Sequence, residues 1–295
     1  MGKIVAAAVA GHVPTVMLPE PIRKLMGRGE DTTLVSGFGL MRQALEDAEA
    51  DTLVIVDTHW FTTVEHVVDG RAHHKGVYTS EELPRAIANY EYDFPGAPEL
   101  AKQVEELARE RSVTAISTDN PHIPEHYPTL NVLHYVHRGT ERVLSIGVCQ
   151  TATAQNFLDF GEVLGQAIQR INGRVAIIGS GGMSHKFWPL DELRDHNAFG
   201  SEHVVTPEAR AMDERILALW ADGDHAAVID LYPEYRKFSP EGFFGHYLIM
   251  AGALGGRRWK APGRLLSLYE NAVGTGQAHV LFDLGAESGD GQPGQ

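Results

Sequence analysis

The feature that most constrains this chain is an alternation between two hydrophobic periods. Short branched apolar runs at residues 4–10, 52–57, 143–148, 174–178 and 279–284 have the length and composition of buried strands. Between them, residues 38–50, 98–110, 155–171 and 207–221 space apolar and charged side chains at the period of an amphipathic helix. Thr206-Pro207-Glu208 adds a helix start, with a hydroxyl to cap, a proline where no N–H is needed and an acid at the positive end of the dipole. The order strand, helix, strand, repeated, predicts an α/β fold: a single domain whose central, mostly parallel or mixed sheet is flanked by helices.

Composition agrees with that class. Of 295 residues, 43% are hydrophobic and 22% charged, enough for a large core and unlike a disordered chain. A domain over residues 1–285 is expected, followed by a small, polar, glycine-rich tail over 286–295 that is expected to be flexible. Residues 60–97 carry little periodicity and read as an excursion over the site. The net charge of −14 disfavours a nucleic-acid surface, which needs clustered Lys and Arg. Cys149 is the single cysteine, so neither an intrachain disulfide nor a thiolate cluster can form, and a reducing compartment is expected. The apolar run of residues 4–10 leads straight into Gly11-His12 and reads as a strand, not a signal peptide. No stretch approaches the ~20 apolar residues of a membrane span, so no membrane association and a cytoplasmic location are expected.

Ligands of open α/β sheets collect at the carboxyl ends of strands. His12 and His59 follow the first two strands, and His185 follows the loop 179–184 after a later one. With 15 histidines present, single positions carry little weight. His66, His73, His74, His137, His196, His203 and His225 are expected in surface or hydrogen-bonding roles. An iron(II) ion that must also bind oxygen and substrate needs two imidazoles and one carboxylate on one face, and His12, His59 and a carboxylate would supply them. Core histidines bonded to carbonyls, or a zinc site for hydrolysis, would give the same spacing. Glu241, opening an apolar helical stretch, is a candidate carboxylate, although an acid at a helix start also suits the dipole. Asp57 is expected to orient an imidazole. The loop 179–182 lacks the Gly-Lys-Ser/Thr of a phosphate cradle and is expected to bend sharply and present His185.

The segments Ala10-Gly11-His12-Val13-Pro14, Asp57-Thr58-His59-Trp60, Gly76 through Pro84, Gly179 through His185, and Gly274-Thr275-Gly276-Gln277 together resemble the class III extradiol ring-cleavage dioxygenases. That is the superfamily of the protocatechuate 4,5-dioxygenase catalytic chain, and the likeness is greatest to its homoprotocatechuate (3,4-dihydroxyphenylacetate) 2,3-dioxygenase branch. The matches run in order along almost the whole chain. The resemblance implies Fe(II) held by His12, His59 and Glu241, and His185 as the acid/base histidine. It implies extradiol cleavage of a catechol with O2 to a hydroxymuconic semialdehyde, by a homo-oligomer. His126 stands where the branch carries an acid, and is expected to be a second pocket histidine on a substrate hydroxyl. That departure leaves 3,4-dihydroxyphenylacetate and a lignin-derived catechol both open as substrate. Arg42, Lys186, Arg236 and Lys237 are candidates to bind a substrate carboxylate. The rival readings are a non-catalytic binding protein of the Memo type and a zinc-dependent hydrolase. The pairing of Glu241 with His185 argues against the binder, which needs neither a full ligand set nor a proton carrier.

Overall fold

The computed structural model describes residues 1–285, so the tail expected over 286–295 lies outside the described residues. The strands are β1 (Lys3–Ala10), β2 (Thr52–Thr62), β3 (His66–Asp69), β4 (His73–Tyr78), β5 (Tyr90–Pro95), β6 (Ala115–Thr118), β7 (Arg142–Cys149), β8 (Arg174–Ser180), β9 (Gly263–Leu265), β10 (Glu270–Ala272), β11 (Thr275–Gln277) and β12 (Val280–Phe282). The helices are α1 (Glu20–Met26), α2 (Thr33–Asp47), α3 (Pro98–Glu110), α4 (Tyr127–Val136), α5 (Ala154–Arg170), α6 (Pro207–Ala221), α7 (His225–Tyr235) and α8 (Gly245–Ala253). One eight-stranded sheet runs β6-β3-β7-β2-β8-β1-β12-β9. Its centre, β7-β2-β8-β1, is parallel, while β12 and β9 close one edge antiparallel, so the sheet is mixed.

Alternation along the central strands feeds two apolar layers. Ala7 and Val9, Val54 and Val56, and Val175 and Ile177 point to one face, where α3, α5 and α8 pack. Ala8, Leu53, Ile55, Ala176 and Ile178 point to the other, under α2 and α4. Both faces are covered, which is why these strands read as continuous apolar runs rather than alternating ones. Each fully buried branched side chain there stabilises the fold by about 1.5–3 kcal/mol. Glycine permits the closest helix contact: a Cβ on Gly161 of α5 would lie 2.1 Å from the Ile249 carbonyl of α8.

Two expectations change here. Residues 60–97 are not wholly an excursion, because β3 joins the main sheet between β6 and β7, and only the β4–β5 hairpin stands outside it. His74 and His225 are buried in the hydrogen-bonding role, to Glu125 and to Tyr247 and Ala261, whereas His66 is buried with its Nδ1 unpartnered among the described residues. No helix among the described residues is long and apolar enough to cross a membrane.

Buried neutral histidines predict an acid-sensitive fold. His279 accepts the Gly11 N–H at Nδ1 (3.1 Å) and donates from Nε2 to the Leu34 carbonyl (3.0 Å), and burial lowers its pKa to about 3. His225 donates from Nε2 to the Ala261 carbonyl and meets the Tyr247 hydroxyl at Nδ1, both at 2.8 Å, and burial lowers its pKa to about 4. The unfolded chain takes these protons near pH ~6.5 and the folded chain does not, so stability is complete above that pH and falls on acidification below it. The loss is about 2 kcal/mol per ring between pH 7 and pH 5. Urea midpoints at the two pH values measure it. An unchanged midpoint would mean that these rings take protons without unfolding.

Candidate metal centre and active site

Three side chains meet at the carboxyl end of the parallel strands. His12 follows β1, His59 lies in the last part of β2 where its pairing with β7 slips, and Glu241 precedes α8. Glu241 Oε1 lies 3.0 Å from both His12 Nε2 and His59 Nε2. His12 and Glu241 are buried, and His59 is about a quarter exposed. The tautomer of His12 follows from its neighbours. Ser180 Oγ donates to the Pro128 carbonyl (2.8 Å) and so accepts from His12 Nδ1–H (3.1 Å), which leaves the Nε2 lone pair facing Glu241. Lone pairs of an imidazole and a carboxylate brought this close repel unless a cation lies between them. The donor set of two imidazoles and a carboxylate therefore fits a divalent metal ion.

The same contacts shift the titration of these groups. Burial alone would raise the pKa of Glu241, but His12, His185 and His59 around it hold it well below the ordinary value. Burial alone would lower the pKa of His59, and the Glu241 carboxylate holds it raised. Burial, the largest influence on His185, keeps it below the ordinary histidine value despite Glu241, so its imidazole is neutral at pH 7. His185 Nδ1 lies 3.8 Å from Glu241 Oε2 and has no hydrogen-bond partner among the described residues.

Local backbone explains the placement of Glu241. It does not open a regular helix, as its sequence context suggests. It begins a short turn, Glu241–Phe244, in which Gly242, Phe243 and Phe244 all have positive φ before α8 starts. Its Oε2 accepts the backbone N–H of Gly182. The glycine-rich loop also differs from expectation. It is glycine-rich for close approach, since a Cβ on Gly181 would lie 2.6 Å from His246 Nδ1 and one on Gly182 2.4 Å from Gln277 Nε2. Asp57 binds backbone N–H groups and a hydroxyl rather than an imidazole, accepting from His59 N (2.9 Å), Trp60 N (3.0 Å), and Thr129 N and Oγ1 (3.0 and 2.7 Å). It thereby fixes the turn that carries His59.

Residues 6–282 match the family model described as the catalytic LigB subunit of aromatic ring-opening dioxygenase. The chain belongs to the LigB family. Within it, the chain is 30% identical over 273 residues to the 3,4-dihydroxyphenylacetate 2,3-dioxygenase of Escherichia coli, covering 91% of this chain and 95% of that one. It is 24% identical over 294 residues to the 2-aminophenol 1,6-dioxygenase beta subunit of a Pseudomonas species, covering 96% and 95%. The crystal structure of an uncharacterized protein from Escherichia coli K12 shares the fold, with a TM-score of 0.62 at 18% identity over 94% of this chain and 99% of that one. This LigB-family chain is an extradiol catechol dioxygenase.

Two cavities flank the centre of this LigB-family enzyme. One, of about 290 Å³, is walled by Val13, Pro14, Leu18, Met26, Phe199 and Val273 and reaches His12, Glu241 and His185. The other, of about 400 Å³, reaches His59, Glu241 and His185 past Phe61 and Phe243. His126 lines neither; it is half-buried at the residue preceding α4. Its neighbour Tyr127 takes the place expected of it, with its hydroxyl 3.0 Å from His59 Nε2 and donating to Glu82 Oε2 at 3.1 Å. The physical reason is the change of backbone at this point: His126 is still extended while Tyr127 is the first residue of α4, so the two side chains leave the chain in different directions. The acid beside His126, Glu125, is buried elsewhere. With Asp69 and His74 it makes a second grouping of possible metal ligands, but Arg71 lies among them, bonding both carboxylates. There a guanidinium supplies the positive charge and ties β3, β4 and the start of α4 together.

Sequence reasoning missed Tyr127, Glu82, Ser180 and Asp213. Asp213 of α6, buried, accepts from Ser184 N (3.0 Å), Ser184 Oγ (2.6 Å), Tyr235 OH (2.8 Å) and Tyr269 OH (2.6 Å). Burial raises its pKa to about 6 against those four donors. Because Ser184 adjoins His185, Asp213 holds the loop that presents that imidazole. An amide has one acceptor atom and adds two donors, so Asp213→Asn is expected to lower turnover by about tenfold while metal content stays unchanged. Turnover per bound metal measures this, and unaltered turnover would show that the loop holds its place without Asp213.

Proposed function

We propose that the metal is iron(II), held by His12, His59 and Glu241, and that the enzyme opens a single-ring catechol beside its two hydroxyls to a hydroxymuconic semialdehyde. The observation that carries this reading is Glu241 Oε1 at 3.0 Å from two imidazole Nε2 atoms, at the end of an apolar cavity also reached by His185. Three protein ligands leave positions for two catechol oxygens and dioxygen. Bound iron(II) would bring those reactants together and pass charge between them.

The chain's own residues do the rest. Val13, Pro14, Phe199 and Val273 form walls that suit a flat aromatic ring and exclude water from it. His185, neutral at pH 7 and unpartnered at Nδ1, takes a proton from a catechol hydroxyl on binding and returns it as the ring opens. Tyr127, anchored on Glu82, presents its hydroxyl beside His59 and orients a substrate oxygen. Burial and the Glu241 charge both raise the pKa of Tyr127, so it stays protonated, with its one proton on Glu82 and an oxygen lone pair left to accept from a catechol hydroxyl.

The test is oxygen uptake by anaerobically purified protein loaded with iron(II), given 3,4-dihydroxyphenylacetate, protocatechuate, gallate and a biaryl catechol, with product absorbance followed alongside. Uptake matched by a yellow ring-opened product on a single-ring catechol is expected. Zinc as the activating metal, or no uptake on any catechol with iron bound, would overturn the reading.

A further inference from the structure

One wall of the 290 Å³ cavity comes from a stretch with no helix or strand of its own. Residues 181–200, between β8 and the short turn Ser201–His203, are irregular, and Phe187, Asn197 and Phe199 from them line the cavity. An irregular stretch of this length keeps one shape only if its backbone groups find partners elsewhere. The hairpin β10–β11, which stands outside the main sheet, supplies them. Trp188 N donates to the Val273 carbonyl (3.1 Å) and Val205 N to the Gly274 carbonyl (3.0 Å), both at the turn of the hairpin. Between these two ties, Asn271 of β10 holds the wall itself. Its backbone N–H donates to the Phe199 carbonyl (2.9 Å), its Nδ2 to the carbonyls of His196 and Ala198 (both 2.8 Å), and its Oδ1 accepts from Gly274 N (2.7 Å). Asn271 is 1% exposed, and both of its amide protons are used. The residue before it anchors the hairpin to the body of the protein: Glu270 accepts from Thr32 Oγ1 (2.6 Å) and Thr33 N (2.7 Å) at the start of α2.

We propose that Asn271 is a positioning residue for the substrate: by gripping residues 196–199 it fixes the Phe199 wall and so limits the cavity to one aromatic ring. The inference rests on the ring-opening reading above and adds the residue that sets the width of the site. The carbonyls it holds belong to the two neighbours of Asn197 and to Phe199 itself, so the grip falls on the residues whose side chains line the cavity. Phe199 is backed on its other side by the end of α1, where a Cβ on Gly27 would lie 2.7 Å from its Cε2. A wall held from behind by α1 and along its backbone by Asn271 cannot give way to a second ring. An aspartate could not replace the amide, because it has no proton to donate and would set a negative charge against two carbonyl oxygens. The ties at Trp188 and Val205 do not involve the Asn271 side chain, so its loss frees the wall without detaching the segment.

The experiment uses the iron(II)-loaded full chain under argon, titrated with 3,4-dihydroxyphenylacetate and with 4-phenylcatechol, which adds a second ring. Ring opening of both is then measured in air. The single-ring catechol is expected to bind about 10-fold or more tightly, the scale of discrimination that pocket shape supplies. Asn271→Asp and Phe199→Ala are each expected to bring the two affinities together. The double variant is expected to be no weaker than either single one for 3,4-dihydroxyphenylacetate, because both changes remove the same wall. Amide hydrogen exchange in Asn271→Asp should speed over residues 187–200 and stay unchanged over β1, β2 and α8. Losses that add in the double variant, a preference that survives Asn271→Asp, or exchange that speeds throughout the chain would overturn the assignment while ring opening stands. A chain that holds iron yet opens neither catechol refutes the enzymatic reading first, and the role of Asn271 with it.

Discussion

Glu241→Ala is expected to abolish metal retention and ring opening together. Among the described residues the carboxylate is the one acid within 3.0 Å of both imidazoles, and its loss leaves two Nε2 atoms without the anionic member of the ligand set. Removing one charged partner from a buried site costs about 3–5 kcal/mol, which corresponds to a fall in metal affinity of about 10²- to 10⁴-fold. Two measurements check this without relying on turnover. Metal content after dialysis should fall to a small fraction of that of the unmutated chain. Added iron(II), which raises the melting temperature of the unmutated apoprotein by mass action, should leave that of Glu241→Ala unmoved. A variant that kept its metal would remove Glu241 from the ligand set and leave His12 and His59 in need of another partner.

His185→Ala is expected to separate the two properties that Glu241→Ala removes together. His185 Nδ1 stands 3.8 Å from Glu241 Oε2, too far for a hydrogen bond, so deleting the ring leaves the geometry of the metal ligands in place. Metal content should change little. Turnover at saturating substrate should fall by about 10²- to 10⁴-fold, the usual worth of a positioned proton carrier. Normal turnover under those conditions would show that another group handles the proton.

The distinction between these variants mirrors how the site is built. His12 and His59 could be named from sequence because each stands at the carboxyl end of a strand legible from its apolar run. A strand fixes the direction of its last residues, and a parallel sheet gathers those ends along one edge. Glu241 and His185 are candidates in the sequence too, but their roles come from likeness to a family, and the structure shows why local pattern was insufficient. Glu241 is aimed by three successive positive-φ residues, and His185 by a loop whose glycines answer to His246 and Gln277, residues more than 60 positions away.

What the sequence by itself determined is the architecture: the two hydrophobic periods, the long amphipathic helices α3, α5 and α6, and the central strands, whose extents agree with expectation within a few residues. These are local properties, readable because side-chain periodicity repeats within a single element. Tertiary structure alone decided which of the adjacent His126 and Tyr127 faces the metal, and that Asp57 binds backbone while Ser180 orients His12. It also decided that Arg71 occupies the second carboxylate cluster. Each depends on the facing direction of one side chain or on partners far apart in the chain. A helix start or a register slip changes those directions by about 100° or more without altering the periodicity that sequence reading uses.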